Sequence, residues 1–418
     1  MKAMKNSRIP WIGNIPSHWD VGRIDSFYKL RNTKVSDEDY PPLSVTKEGI
    51  LHQLETAAKT NAHDDRKLVH RGDFVINSRS DRRGSCGISP YDGSVSLINT
   101  ILAPKGEMSP KYYDWLFHTA QFADEFYKWG HGIVDDLWTT NYQDMKKINI
   151  PVPPIDEQQN IAIYLNKQCA EIDALSADIQ SEIETLEAYK RSVITEAVTK
   201  GLDKNVPMKD SGTPWCPEIP AHWEYSNPKA LFTQRGDRAF LGDRQLTASQ
   251  EYGIVYQDEF MEMTGNRVVT VMKDFSILKH VEPGDFVISM RSFQGGLEYS
   301  EVKGCISSAY VMLIPNKNLV YSPFYKWFFK SDKYINAIQS TSNLVRDGQA
   351  MRYANFAKVP LFIVPLDEQK RIADYLDRHI SEINSIMKGK REQLAVLADY
   401  KKSIIYEYVT GKKEVPAV

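Results

Sequence analysis

Between residues 157 and 200 the apolar side chains recur three and four positions apart. Ile161, Leu165, Ile172, Leu175, Ile179, Ile183, Leu186 and Val193 lie on one stripe, with no Pro or Gly in the interval. This period predicts an α-helix with a single apolar face, about 65 Å long at the usual rise per residue. The same register returns at Ile372, Leu376, Ile383, Ile386, Leu394, Leu397 and Ile404, with Gly389 as its one weak point. The two helices also begin alike, as "PIDEQQNIAIYL" at 154 and "PLDEQKRIADYL" at 365. In the first, Pro154 precedes the helix, Asp156 suits the cap and Gln159 suits the returning bond. So long a stripe needs a partner. The two helices are expected to pack on each other, antiparallel because a whole body of chain lies between them, as a rod with one body near each end. The alternative is an ordinary core helix packed on its own body. Glu182, Glu187, Lys190 and Arg191 lie off the stripe, where they would be solvated or serve another subunit.

The preceding bodies, 20–150 and 225–360, have a different pattern. "GDFVIN" at 72 and "GDFVIS" at 284 read as strands leaving a Gly-Asp turn. "VSLINTILAP" and "ISSAYVMLIP" read as buried strands ended by Pro. "SPKYYDWLFHTAQFADEFYKW" and "SPFYKWFFKSDKYINAIQ" each read as an amphipathic helix begun at Ser-Pro, with Trp115, Phe117, Trp327 and Phe329 in the core. A lead-in motif stands before each body, "IPWIGNIPSHWD" and "TPWCPEIPAHWE". Its Trp19 and Trp223 are expected to be structural plugs, and His18 and His222 lack neighbours at metal-ligand spacing. Lead-in, body and long helix therefore occur twice, a duplicated domain and not a short-period solenoid. The expected fold is α/β: two similar mixed α/β domains separated by two long antiparallel, coiled-coil-like helices, a pseudo-twofold internal duplication. The expected divisions are 1–150 for lead-in and first body, 151–203 for the first helix, 204–362 for the second lead-in and body, and 363–418 for the second helix and tail.

Composition narrows the function classes. The 418 residues carry a net charge of −2, so an anionic partner needs a local basic surface. No apolar run suits a membrane span and no signal-peptide pattern opens the chain, which points to the cytoplasm. Cys86, Cys169, Cys216 and Cys305 are scattered, so no zinc or other metal site is expected. Walker, HExxH and nucleophile-elbow motifs are missing. "SNPKALF" at 226 lacks the second Pro and the aromatic of the amino-methyltransferase motif, and "DEQK" at 367 sits at a helix start where capping explains it. The chain reads as non-catalytic, with no cofactor of its own.

Basic residues gather just after the Gly-Asp strands. Arg79, Ser80, Arg82 and Arg83 follow the first, and Arg291, Ser292 and Gln294 hold the matching place after the second. "GIVDDLWTTNYQ" and "NLVRDGQAMRYA" form a second matched pair of loops, the latter with Arg346, Gln349 and Arg352. Arg, Ser and Gln on a loop reach phosphates and base edges. Each loop alone reads as an ordinary solvated turn; two at matching positions in both copies put DNA contact level with that reading.

Together "WIGNIPSHW", "GDFVI" and "IPVPPIDEQQNIAIYLNKQCAEIDAL", each present in two forms, resemble the specificity subunit of type I restriction–modification systems over nearly the whole chain. The resemblance implies two target-recognition domains, at about 20–150 and 225–360, each reading half of a split, asymmetric site in double-stranded DNA. It also implies that 155–200 and 366–411 dock two methyltransferase subunits. These carry S-adenosylmethionine and the adenine methylation chemistry, and a motor–nuclease restriction subunit can join them. The second helix departs from the family's "PPL" form, since "FIVPLDEQ" has one Pro. Recognition loops vary too much within the family for their residues to be carried over. Two other classes stay open: a coiled-coil adaptor that binds no DNA, and an enzyme with its own methyltransferase activity.

Overall fold

A computed structural model describes residues 3–53, 64–132, 138–250, 252–271, 275–288, 297–341 and 352–416. The chain divides into two compact units, Met1–Gln180 with Arg391–Val418, and Ser181–Lys390. Each long helix contributes one half to each unit.

In the first unit the lead-in is an antiparallel hairpin, Met4–Asn6 with Asn14–Pro16. The body's central sheet runs Tyr28–Arg31, Asn99–Pro104, Phe74–Asn77, Cys86–Ile88, with every neighbour antiparallel. Its two inner strands, Asn99–Pro104 and Phe74–Asn77, are buried almost throughout because both faces are covered. Phe74, Ile76 and Leu102 pack with Tyr113, Phe117 and Phe122 of the helical layer. Val75 and Ile101, pointing the other way in the strand alternation, pack with Leu43, Ile50, Val69 and Val95. That second layer comprises a hairpin, Leu43–Thr46 with Gly49–His52, and a three-stranded sheet ordered Gly93–Ser96, Arg66–Val69, Lys34–Val35.

The second unit repeats the plan. Its central sheet runs Phe232–Gln234, Val311–Pro315, Phe286–Ile288, Glu298–Tyr299. Val287 and Met312 face a small core with Leu246, Ile254, Val281 and Ile306, while Phe286 packs edge-to-face against Phe232 and Phe329. "SNPKALF" is a short helix, Pro228–Leu231, and Asn227 caps it by accepting from Lys229 N.

The sequence pattern and the helical layer differ in one respect. Each expected amphipathic helix is two helices, Pro110–Phe117 with Ala120–Lys128 and Ser322–Phe328 with Asp332–Ser340. At the first break the Thr119 hydroxyl accepts from Phe122 N at 3.2 Å and donates to Leu116 O at 2.7 Å. It ends one helix and caps the next, so apolar spacing carries across a bend that periodicity does not reveal. Phe117 and Phe329 are buried, as expected. Trp115 and Trp327 are only half-buried, and each indole donates to the adjoining long helix, at Asn166 (3.0 Å) and Asp377 (2.8 Å).

The long helices span Ile155–Lys200 and Leu366–Val409, and Gly389 does not interrupt the second. Their repeated start is more than a cap. Asp156 and Gln159 are exposed, whereas Gln158 is buried. Gln158 accepts from Ser109 N, at the start of a body helix, and donates to Pro153 O. Glu157 binds His18 Nε2 at 2.7 Å and accepts from Trp19 Nε1 at 2.8 Å. In the second unit Glu368 accepts from Trp223 and binds His222, and Gln369 accepts from Tyr321 N. The Glu-Gln pair thus clasps lead-in, body and helix in one place. Trp19 and Trp223 are plugs, and their histidines are hydrogen-bond partners of glutamate.

The helices pack antiparallel in both units. In the first, the Tyr164 and Tyr408 hydroxyls are 3.2 Å apart, and Lys401 meets Asp173 at 2.6 Å. In the second, Lys390 pairs with Glu182, and Lys190 donates to Asn384 at 2.8 Å. Arg191 meets Asp332 at 3.7 Å. Glu182, Lys190 and Arg191, left for solvent or another subunit in the sequence reading, are thus engaged within the chain. Ile161, Leu165, Ile172, Ile179, Ile183, Val193, Ile372, Leu376, Ile383 and Ile404 are buried, and Leu186, Leu394 and Leu397 are half-buried. Leu175 and Ile386 depart from the expected stripe: they are 49% and 51% exposed. The seam takes the next residue instead, half-buried Ser176 and buried Met387, about 100° further round the helix.

Each long helix ends in a left-handed glycine, Gly201 (φ +75°) and Gly411 (φ +67°), the usual helix stop. A Cβ on Gly411 would lie 2.4 Å from Pro16 and 2.9 Å from Trp19. Tyr406 Oη donates to Trp11 O at 2.7 Å, so the first lead-in packs against the end of the second long helix. In the second unit Gly201 has Trp223 and Pro220 as neighbours, at 3.7 and 4.0 Å from a Cβ placed there.

Candidate nucleic-acid interface

The Gly-Asp turn before each central strand is an anchor for the loops beyond it. Gly72 (φ +88°) and Gly284 (φ +97°) supply the left-handed residue. Asp73 and Asp285 are buried. Arg31 donates to both oxygens of Asp73, at 2.6 and 3.1 Å, and Arg235 does the same to Asp285, at 2.7 and 3.0 Å. The backbone N–H groups of His70 and Glu282 complete the two sites. Hydrogen bonding to Asp285 pushes the Arg235 guanidinium above its ordinary range. Such bidentate, charge-assisted pairs fix direction as well as distance. Sequence reading took the Asp for a turn residue, since its arginine lies 42 or 50 residues upstream. The only available signal was one arginine at a similar place before each motif.

In the first body the two matched loops meet. Beyond Phe74–Asn77 comes a short 3-10 turn, Ser80–Arg82. Arg79 bridges Thr139, Ser80 N donates to Trp138 O at 2.9 Å, and Thr140 N donates to Ser78 O at 2.9 Å. The Ser80 hydroxyl accepts from Trp138 N at 3.0 Å, so this candidate is a staple between the loops. Tyr127 Oη donates to Asn77 O and Arg82 O from below.

Three arginines project from this platform. Arg79, Arg82 and Arg83 are 42%, 68% and 52% exposed at the side chain. Arg79 pairs with Asp81 at 3.1 Å, and Arg83 pairs with Asp124. Exposed pairs of this kind are worth about 0–1 kcal/mol, so a phosphate or guanine edge competes with them readily. In the second body Arg291, Ser292, Gln294, Arg346 and Gln349 lie outside the described residues. Arg352 is exposed, and its N–H donates to Asn355 Oδ1 at 3.1 Å. The Asn355 side chain donates in turn to Thr341 O, holding both ends of the 342–351 interval. Among the described residues no His, Cys, Asp and Glu side chains cluster as a metal site, and no helix is long and apolar enough to cross a membrane. All four cysteines are buried, and burial raises their thiols, that of Cys305 to about 11.

Comparison with known proteins agrees with this duplicated architecture. The family described as "Type I restriction modification DNA specificity domain" matches residues 16–185 and 220–396. A Methanocaldococcus jannaschii protein, the type I restriction enzyme MjaVIII specificity subunit, is 22% identical over 96% of this chain and 94% of its own. A second from that organism, provisionally named the type I restriction enzyme MjaX specificity subunit, is 24% identical over 97% of this chain and 96% of its own. Among solved structures, one chain comes from work on complex assembly and conformational transition of the type I R-M system. It superposes with a TM-score of 0.71 at 13% identity, over 96% of this chain and 99% of its own. The HsdS subunit from Thermoanaerobacter tengcongensis gives 0.53 at 15% identity, over 96% and 98%.

Proposed function

Because the chain belongs to the type I restriction modification DNA specificity family, we propose that it is the DNA-reading subunit of a type I restriction–modification complex. Each body reads one half of an asymmetric, two-part site in double-stranded DNA. The observation that carries this reading is the pairing of a repeated framework with unlike loops. Sheet order, Arg-Asp anchor and Glu-Gln clasp recur, while unlike sequences, "SRSDRRGS" and "SMRSFQGG", follow the matching central strands in the chain. Arg79, Arg82 and Arg83 are the base and phosphate contacts of the first body, and Arg291, Ser292, Gln294, Arg346, Gln349 and Arg352 those of the second.

The chain does no chemistry itself and works in the cytoplasm. Two methyltransferase subunits, carrying S-adenosylmethionine, methylate adenine at the site it selects, and a motor–nuclease subunit can join. The docking surface is on the long helices. Leu175 and Tyr189 on the first are about half exposed, as are Ile386 and Tyr400 at the same positions on the second; one apolar pair written twice suits two copies of one partner.

The test is methylome sequencing of cells carrying single Arg79→Ala, Arg82→Ala or Arg83→Ala variants. Removing a bidentate arginine–base interaction costs about 1–3 kcal/mol and relaxes one position of one half-site. Unchanged methylation in all three variants would remove the loop from the interface.

A further inference from the structure

Two positive residues are antiparallel backbone partners at the matching place in both bodies. In the first unit Lys34 is the antiparallel partner of Lys67. In the second unit Arg238 is the bridge partner of Lys279. Like charges placed directly opposite destabilise a strand pair. The surrounding sequences are otherwise unlike, "NTKVSD" against "GDRAFL" and "RKLVH" against "LKHVE". A pair of cationic residues is therefore kept where its neighbours have changed.

The inner lysines are held alike. Lys67 Nζ donates to Asn99 O at 2.7 Å, and Lys279 Nζ donates to Tyr310 O at 2.7 Å. Both are half-buried, and burial pushes both ammonium groups below their ordinary range, with Arg238 adding to the effect at Lys279. Neither meets a carboxylate among the described residues. Of the outer partners, Lys34 pairs with Asp65 at 2.6 Å, with both side chains exposed. Arg238 donates to a backbone carbonyl, Ile277 O, at 3.0 Å. Three of these four cations thus have only carbonyl partners among the described residues, although two of them bear the cost of partial desolvation.

Their place in the fold is the same in both bodies. Asn99 opens a central strand and pairs with Asn77, two residues before Arg79. Tyr310 precedes Val311, which pairs with Ile288 at the point where the chain enters 289–296. In each body the cation pair therefore stands at the end of the sheet that carries the candidate reading loop, but on the repeated framework. Phosphate contacts set register and carry no base information, which suits a feature unchanged between two readers of different sequence.

We infer that Lys34 with Lys67, and Arg238 with Lys279, are paired clamps for backbone phosphates of duplex DNA, one in each body. The inference rests on the proposed DNA-reading function and adds residues to it.

The test uses the full chain, alone and with its methyltransferase subunits, and a duplex of about 40 base pairs, long enough for a footprint of several helical turns. Affinity is measured against salt for Lys34→Gln/Lys67→Met and for Arg238→Gln/Lys279→Met. Each phosphate released from its cation should reduce the slope of log K against log salt by about 0.9, with the methylated motif unchanged. The exposed single variants Lys34→Gln and Arg238→Gln leave the half-buried lysines in place and should each lower the slope by about 0.9, so a folding defect in the double variants does not decide the outcome. Lys34→Arg should retain the slope. Wild-type binding with an unchanged slope in the exposed variants overturns the clamps alone. An altered motif with an intact slope also overturns them, since the pair would then be reading bases. No DNA binding by the wild-type complex at any salt overturns the DNA-reading function together with the clamps.

Discussion

Asp73 and Asp285 are almost wholly shielded from water, and each has an arginine fork and one backbone N–H in its place. Removing one partner of a buried pair leaves the other charge uncompensated, at a cost of about 3–5 kcal/mol. Here the arginine side chains keep 24% and 13% exposure, so the low end applies. Asp73→Asn and Asp285→Asn should each destabilise their body by about 3 kcal/mol, read as a lower urea midpoint. The exposed pair Arg23–Asp25 provides the contrast, and Asp25→Asn should cost under about 1 kcal/mol. Equal effects at the three sites would mean that the forks do not anchor the loops. The arginines proposed as DNA contacts in the first body, Arg79, Arg82 and Arg83, belong to the opposite class. They are exposed and weakly paired, so their substitution should alter methylation and leave stability nearly untouched.

At the scale of elements the long helices divide into a seam and an outer face. Ile183 and Ile383 are in the seam, 3% and 5% exposed, whereas Leu175 and Ile386 are half exposed. A charge at an exposed position away from special features changes stability by about 0.5 kcal/mol at most. Leu175→Asp with Ile386→Asp should therefore keep the wild-type melting temperature yet lose the methyltransferase subunits in size-exclusion chromatography. Ile183→Asp should instead unfold the helix pair locally, because a buried carboxylate there has no partner. Retention of both methyltransferase subunits by the first variant would move the docking surface elsewhere.

At the scale of the whole molecule, the repeat predicts that specificity is modular. Each body has its own sheet, core and anchor, so replacing residues 20–150 with the equivalent body of a relative should change one half of the methylated motif and spare the other. Methylome sequencing reads this directly, and a change in both halves would refute independent reading. The modest net charge of −2 limits the chain's general attraction for DNA. Alone it should bind weakly and with little sequence preference, and specific binding should appear when the methyltransferase subunits join.

The duplication, the α/β bodies, the two long helices and their mutual packing were all legible in the sequence by itself, because each rests on local repetition. A period of 3.6 or 2, a Gly-Asp turn or a motif written twice survives in one dimension. Helix starts were legible as starts, but not as clasps: Glu157 reaches Trp19 across 138 residues, and Glu368 reaches Trp223 across 145. The two loops around Arg79 and Thr139 were singled out separately, and only the fold shows that they are one platform. Leu175 and Ile386 look apolar and in register, yet a seam uses only some of the positions that a stripe offers, and the partner's shape decides which. The Arg-Asp anchors and the opposed cations Lys34/Lys67 and Arg238/Lys279 were invisible to pattern reading. Their meaning lies in strand register, which backbone hydrogen bonds set between segments far apart in the chain, and tertiary structure alone decided it.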